Sequence, residues 1–203
     1  MKIFSKEYNA EKEQNIYTIL GIKIKLRKRN EKNIYVGCGD DYIDGYIGCD
    51  IRKTPNVKYV CKAWEISSHV KNVENIYSRH MCEHLTYQEF EITLKDWYKA
   101  LIKGGNIHII VPNIDYHVKQ FQRAVFNNEN LKNEKSDLAW SIAGFCGWQR
   151  EDYINKNSKT KYWDVHKSIW NEKLMKLYLE NVGFNNIKTE IINNVHLSVK
   201  AKK

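Results

Sequence analysis

From residue 33 onward, apolar and polar positions switch repeatedly between a two-residue and a 3.6-residue period. Short runs rich in β-branched and aromatic residues predict strands over Asn33 to Val36, Tyr46 to Cys49, Val57 to Cys61, Asn75 to Ser78 and Asn106 to Val111. Between the fourth and fifth runs, Phe90, Leu94, Trp97, Tyr98, Leu101 and Ile102 fall on one helical face. Thr86 and Glu89 form a capping box at its start, and Gly104-Gly105 predict its end. Past Pro112, the spacing of Val118, Phe121 and Val125 predicts a second helix with that side inward. A third is capped by Asn171, carries Leu174, Leu177, Tyr178 and Leu179, and ends at Gly183. Ile187 to Ile192 and Val195 to Val199 then flank Asn193-Asn194, a pair suited to a tight hairpin. Strand alternating with helix predicts an α/β fold, a mostly parallel seven-stranded sheet ending in an antiparallel hairpin.

Three stretches depart from this rhythm. Residues 1–32 hold a polar segment with helical character, Ser5 to Ile19. Ile22, Ile24 and Leu26 then alternate with Lys23, Lys25 and Arg27, which is strand-like, and the basic run continues through Lys28 and Arg29. We read 1–32 as a basic extension that packs on the main domain or touches a partner or an anionic membrane surface, and 33–203 as one domain. Only Asp40 to Gly45 separates the first two strands, so the crossover there is shortened and its helix reduced to a stub. Residues 144–168 show no apolar period and are read as a functional or mobile loop.

Composition narrows the class. A chain of 203 residues supports one full-sized core. Mean hydropathy is -0.63 and no apolar run approaches the roughly 20 residues of a membrane span. The charged start, MKIFSKEYNAEKEQ, lacks the apolar centre of an export signal, which predicts a cytoplasmic protein. The net charge of +9 sits at the ends: residues 33–185 carry 20 basic and 19 acidic side chains. With Lys outnumbering Arg 27 to 6, this pattern argues against a nucleic-acid partner. Five cysteines, with no CxxC pair, read as free thiols, although Cys38, Cys49 and Cys61 all fall near strand ends and can approach one another.

Candidate chemistry begins at NIYVGCGD, where Gly37 and Gly39 let a ligand approach the backbone after the first strand. Asp50, closing the second strand, can accept hydrogen bonds from both hydroxyls of a ribose; alternatively it caps a helix or pairs with Arg52. For a general base, His166 is the first choice and Asp115 and His117, just past the fifth strand, are the second. Asn113, Trp148, Gln149, Arg150 and Lys167 are candidates for an acceptor pocket, and Tyr162, Trp163 and Trp170 form either an aromatic wall for a sugar or core. His80 to His84, HMCEH, has the HxxEH form of a zinc-protease helix. It lies directly after a strand and just before the Thr86 cap, which leaves too little helix for an i, i+4 ligand pair, so no metal is expected.

YVGCG, GYIGCDI, NIYSRHMCEHL, WYKALIKGGNIHIIVPN and the late WQR…HKSIWNEKLMKLYLENVGF occur in the order seen in class I S-adenosylmethionine-dependent methyltransferases. The chain resembles, in particular, the small ones of bacterial surface-polysaccharide (capsule and lipopolysaccharide) gene clusters. The resemblance implies a Rossmann-like fold and O- or N-methyl transfer from S-adenosylmethionine, leaving S-adenosylhomocysteine. It also implies a polar acceptor such as a sugar, sugar nucleotide or phosphorylated intermediate. By it, Gly37, Cys38 and Gly39 pass under the methionine part, Asp50 and Ile51 hold the ribose, and Ala63 and Trp64 flank the adenine. Arg79 and His80 lie near the sulfonium, and His84 packs or hydrogen-bonds. This sequence departs from the family pattern around Tyr35, which replaces an acid, at Asp40 and Asp41, which replace a third glycine, and at Lys62, where many relatives have aspartate.

Overall fold

The structure, a computed structural model, describes residues 4–9, 14–19, 22–27, 32–148 and 165–203. The chain forms two compact units, Met1–Glu31 and Lys32–Lys203. In the first, β1 (Phe4–Asn9), β2 (Gln14–Ile19) and β3 (Ile22–Arg27) make an antiparallel sheet in that order. The helical reading of Ser5 to Ile19 is therefore corrected: Phe4 pairs with Ile19 and Asn9 with Gln14. The β-branched and aromatic run Ile16-Tyr17-Thr18-Ile19 outweighs the polar composition that suggested a helix.

The second unit is built on seven strands: β4 (Asn33–Val36), β5 (Ile47–Asp50), β6 (Val57–Val60), β7 (Val73–Arg79), β8 (Leu101–Pro112), β9 (Asn185–Ile192) and β10 (His196–Lys202). Their order is β6-β5-β4-β7-β8-β10-β9; the first five run parallel, and β10 is antiparallel to both neighbours. Asn193 and Asn194 close the β9–β10 hairpin with φ of 50° and 66°, the left-handed region that asparagine tolerates. This is the α/β sheet that the periodicity predicts.

Among the described residues six α-helices join the strands: α1 (Ile66–His69), α2 (Tyr87–Ala100), α3 (Ile114–Arg123), α4 (Asn128–Lys132), α5 (Asp137–Cys146) and α6 (Glu172–Val182). Thr86 and Glu89 cap α2 reciprocally, and Phe90, Leu94 and Trp97 on it are fully buried. With Met175 and Leu179 of α6 they cover the sheet face that carries Ile34, Val36, Ile76, Ile107, Ile109, Leu197 and Val199. The opposite face carries polar rows in register. Asn33, Asn75 and Asn106 form a side-chain ladder across three strands, with Asn75 donating to Asn33 at 2.7 Å and Asn106 to Asn75 at 3.0 Å. Tyr35, Tyr77 and His108 stack along the next row at 4.9 and 5.2 Å.

Four expectations need correction. The β4–β5 connection contains turns and no helical stub. α2 stops at Ala100, and Leu101 and Ile102 open β8; Gly104, at φ 78°, sits in the irregularity where β8 spends extra residues opposite β7. The inward side of α3 is Ile114, His117 and Gln120, whereas Val118 and Val125 are 40% and 65% exposed. Polar side chains can face inward there because they satisfy one another: His117 Nδ1 lies 3.1 Å from Gln120 Oε1, and Gln120 Nε2 donates to Asp137. Finally, α5 runs into the stretch from 144 that the sequence leaves irregular. Among the described residues no helix is long and apolar enough to cross a membrane.

Candidate functional site

From β4 the chain moves outward through β5 to β6, then returns to β7 and moves the other way. The point of divergence, at the carboxyl ends of β4 and β7, is where an open α/β sheet leaves a crevice. A cavity of about 230 Å³ lies there, lined among others by Val36, Gly37, Asp50, Ile51, Cys61 and His80. Ala63, Trp64, Met81, His84 and Lys167 complete much of its wall.

The glycines are needed for shape. Gly37 has φ of 72° and Gly39 of 53°; a Cβ on Gly37 would stand 2.2 Å from Met81 Cγ, so the β4 turn and the residue after β7 touch directly. Gly39 N–H donates to Asp50 Oδ2 at 2.8 Å, which ties the turn to the end of β5. Asp50 is 5% exposed and also accepts from the Arg52 N–H at 2.8 Å and Arg52 Nε at 3.1 Å. Both sequence readings of this carboxylate thus meet in one place: it pairs with Arg52 and it lines the cleft. Three of its roughly four acceptor directions are used, which leaves one toward the cavity.

On the outer wall, Trp97 Nε1 donates to the Ala63 carbonyl at 2.9 Å and pins the turn that presents Trp64. The Lys62 ammonium sits 5.5 Å over the Trp64 ring, so the lysine that replaces an aspartate reinforces this wall as a cation on an aromatic face. Behind it, Cys49 and Cys61 sulfurs are 3.2 Å apart. Their hydrogen bond raises the Cys49 thiol and lowers that of Cys61, which lines the cleft. Burial pushes Cys38 up to about 11, leaving it a neutral core thiol.

On the inner wall, His80 takes φ of 49° at the end of β7, and its Nδ1 lies 3.0 Å from Glu83 Oε1. HMCEH does not form an α-helix; Cys82–His84 make a single turn of 3-10 helix. Glu83 is 2% exposed; burial works against its charge, yet the His80 hydrogen bond and the surrounding imidazoles hold it below the usual carboxylate range. His84 Nδ1 lies 3.3 Å from the Val165 carbonyl and His166 Nδ1 3.1 Å from that of Gly144. Burial lowers His166 from its ordinary value. Lys167 and Ser168 N–H both donate to the Glu83 carbonyl, at 2.8 and 3.2 Å, which fastens residues 166–168 to the 82–84 turn.

The structure therefore gathers Gly37, Asp50, Ile51, Ala63, Trp64, His80 and Lys167 around one cleft, with Cys38 and Gly39 in its supporting turn and His166 beside His84. Others lie elsewhere. Arg79 is exposed, and neither it nor Asn113 is among the lining residues; Asn113 is buried and donates to the Asn194 carbonyl. Asp115 is exposed and accepts from Asn171, while His117 is buried against Gly144 and lowered by that burial. Trp148 stacks on Trp140 at 5.2 Å, and Trp170, 1% exposed, is core rather than a sugar platform. Gln149, Arg150, Tyr162 and Trp163 lie outside the described residues. Sequence reasoning missed the convergence of Glu83, His84 and His166, because HxxEH was weighed only as a helical pair and its third member is 82 positions beyond His84.

Among solved structures, the chain is similar to a SAM-dependent methyltransferase from Archaeoglobus fulgidus, with TM-score 0.51 and 16% identity over 86% of this chain and 87% of that one. It is similar also to the 1,6-didemethyltoxoflavin-N1-methyltransferase of Burkholderia thailandensis, solved with its substrate and S-adenosylhomocysteine, with TM-score 0.53 and 10% identity over 84% and 70%. A protein from Bordetella parapertussis matches with TM-score 0.51 and 11% identity; this chain covers 62% of its length. No protein-family model and no curated protein matches the sequence. At these identities the likeness is one of fold, and that fold is the Rossmann-like one of the class I S-adenosylmethionine-dependent methyltransferases.

Proposed function

We propose that the protein is an S-adenosylmethionine-dependent methyltransferase. The observation that carries this reading is the cleft at the sheet's divergence point, where two positive-φ glycines and a strand-end aspartate stand together. In it the methionine part of the cofactor lies along Gly37 to Gly39, a ribose hydroxyl donates to Asp50 beside Ile51, and the adenine rests between Ala63 and Trp64. His80 lies toward the sulfonium. Methyl transfer is an in-line displacement: the sulfonium S–C bond breaks as the acceptor O–C or N–C bond forms, and the acceptor gives up a proton. The protein's task is to hold the two partners in line and exclude water.

For the acceptor we propose a small polar molecule, a sugar, sugar nucleotide or phosphorylated intermediate of surface-polysaccharide synthesis in the bacterial cytoplasm. Its support is the sequence resemblance, together with Lys167 on the cleft wall, a cation suited to phosphate or carboxylate. Of the three bases nominated from the sequence, His166 is the one beside the cleft.

Thermal unfolding with S-adenosylhomocysteine tests the cofactor assignment. At 100 times the dissociation constant, linkage stabilises the protein by about 2.7 kcal/mol, roughly 5 to 10 °C at this size. The rise is saturable in the native protein and absent in Asp50→Ala; a native protein that does not respond to millimolar ligand refutes the reading.

A further inference from the structure

Glu83 is the buried group least accounted for by its surroundings. One carboxylate oxygen meets His80 Nδ1; the other, Oε2, is buried and has no hydrogen-bond partner among the described residues. A carboxyl oxygen held from water without a hydrogen-bond partner is unfavourable, and each such group calls for a reason. The reason we find is the company it keeps: one ligand atom each from Glu83, His84 and His166 lie within 4.8 Å of one another.

The histidine hydrogen bonds determine which nitrogen of each ring keeps a free lone pair. Val165 and Gly144 offer carbonyl oxygens, which can only accept, so His84 and His166 each carry their hydrogen on Nδ1. In the neutral rings Nε2 is then the nitrogen with a free lone pair. Two imidazole nitrogens oriented by backbone carbonyls, with one carboxylate oxygen, form the donor set of zinc and other first-row divalent ions. Three donors bound to one such ion at 2.0–2.2 Å lie about 3.3–3.8 Å apart. Closing a triangle of donors within 4.8 Å of one another onto an ion thus takes side-chain rotations that draw them in by up to about 1.5 Å. The backbone bonds from Lys167 and Ser168 to Glu83 hold the two halves of the triangle at this spacing before any ion arrives.

We propose that Glu83, His84 and His166 form a binding site for a divalent first-row transition metal ion, beside the cofactor cleft that His84 also lines. This reverses the expectation of no metal: the HxxEH segment contributes its Glu and second His from a tight turn, and the remaining ligand comes from the far side of the 149–164 stretch. Binding does not depend on the methyl-transfer reading. Its consequence for catalysis does: an acceptor hydroxyl bound to the ion loses its proton more readily, a role for which His166 is the first of three candidates in the sequence.

The test uses the full chain, stripped by a chelator and titrated with Co²⁺ while visible absorption is recorded. One equivalent binds with ligand-field bands, Zn²⁺ displaces it, and Mg²⁺, which prefers oxygen ligands, does not. Glu83→Gln, His84→Ala and His166→Ala each weaken binding by at least about 100-fold, the upper end of what even an outer partner of a ligand contributes. His69→Ala leaves it unchanged. Far-ultraviolet circular dichroism checks folding; if the buried Glu83→Gln variant does not fold, the two histidine variants decide. The proposal is overturned by no saturable binding at millimolar Co²⁺, or by equal affinity in His166→Ala. A sulfur-to-cobalt charge-transfer band, which places the ion on Cys49 and Cys61, overturns it as well.

Discussion

At the scale of single residues, shape and protonation each have a measurable signature. Gly37 combines φ of 72° with a Met81 side chain where a Cβ would go. Gly37→Ala should lower stability by about 1–3 kcal/mol, since left-handed strain and overpacking both apply. Urea denaturation checks it, and an unchanged midpoint shows that the turn relaxes freely. His108 carries a pH effect. Burial, helped by the Lys200 ammonium, lowers it to about 4, while an unfolded histidine titrates near 6.5. Between those values the unfolded chain holds a proton that the folded one refuses, so stability rises with pH through the window and is lost as pH falls toward 4. The slope from this one group reaches at most about 1.4 kcal/mol per pH unit. His108→Gln, which can still reach Ser198, should flatten the fall in urea midpoint between pH 7 and 5; an unaltered slope assigns it to other groups.

At the scale of elements, α3 and α5 meet through a glycine. A Cβ on Gly144 would lie 2.3 Å from His117 Cγ, so the helices approach over the imidazole ring. Gly144→Ala should destabilise by about 1–3 kcal/mol, and adding His117→Ala should recover part of that loss. Additive losses in the double variant would mean that the two residues do not share the contact. This contact also shows what the sequence conveys and what it withholds. Strands β4 to β8, the Thr86 cap, the Asn171 cap and the Asn193-Asn194 turn were legible because each is set by residues a few positions apart. The inward face of α3 was not, because apolar Val118 and Val125 outscore His117 and Gln120 until Asp137 and Gly144, some 20 residues on, are placed against them. The cleft follows the same division. Gly37, Gly39 and Asp50 are readable from one turn and one strand end, whereas the triangle of Glu83, His84 and His166 depends on a long-range return of the chain.

At the scale of the whole molecule, the second unit contains its own core, and the described residues that line the cleft all belong to it. A chain beginning at Lys32 should fold with a cooperative transition and bind S-adenosylhomocysteine as the full chain does; a noncooperative melt would show that the basic extension is needed for folding.

The strand order carries one more consequence. β4 and β7 are flanked on both sides, whereas β6 is a four-residue edge strand, its burial alternating between half-buried and exposed. The cleft rests on both kinds of support, Gly37 and His80 following the central strands and Cys61, Ala63 and Trp64 following the edge. In deuterated water, amides of β4 and β7 should exchange late and those of β6 early, because edge backbone opens with less of the sheet. A ligand bridging the two would slow exchange most where it is fastest without ligand. On the proposed reading, the footprint of S-adenosylhomocysteine should therefore be read on residues 57–64, and scarcely at all on the Gly37–Gly39 turn.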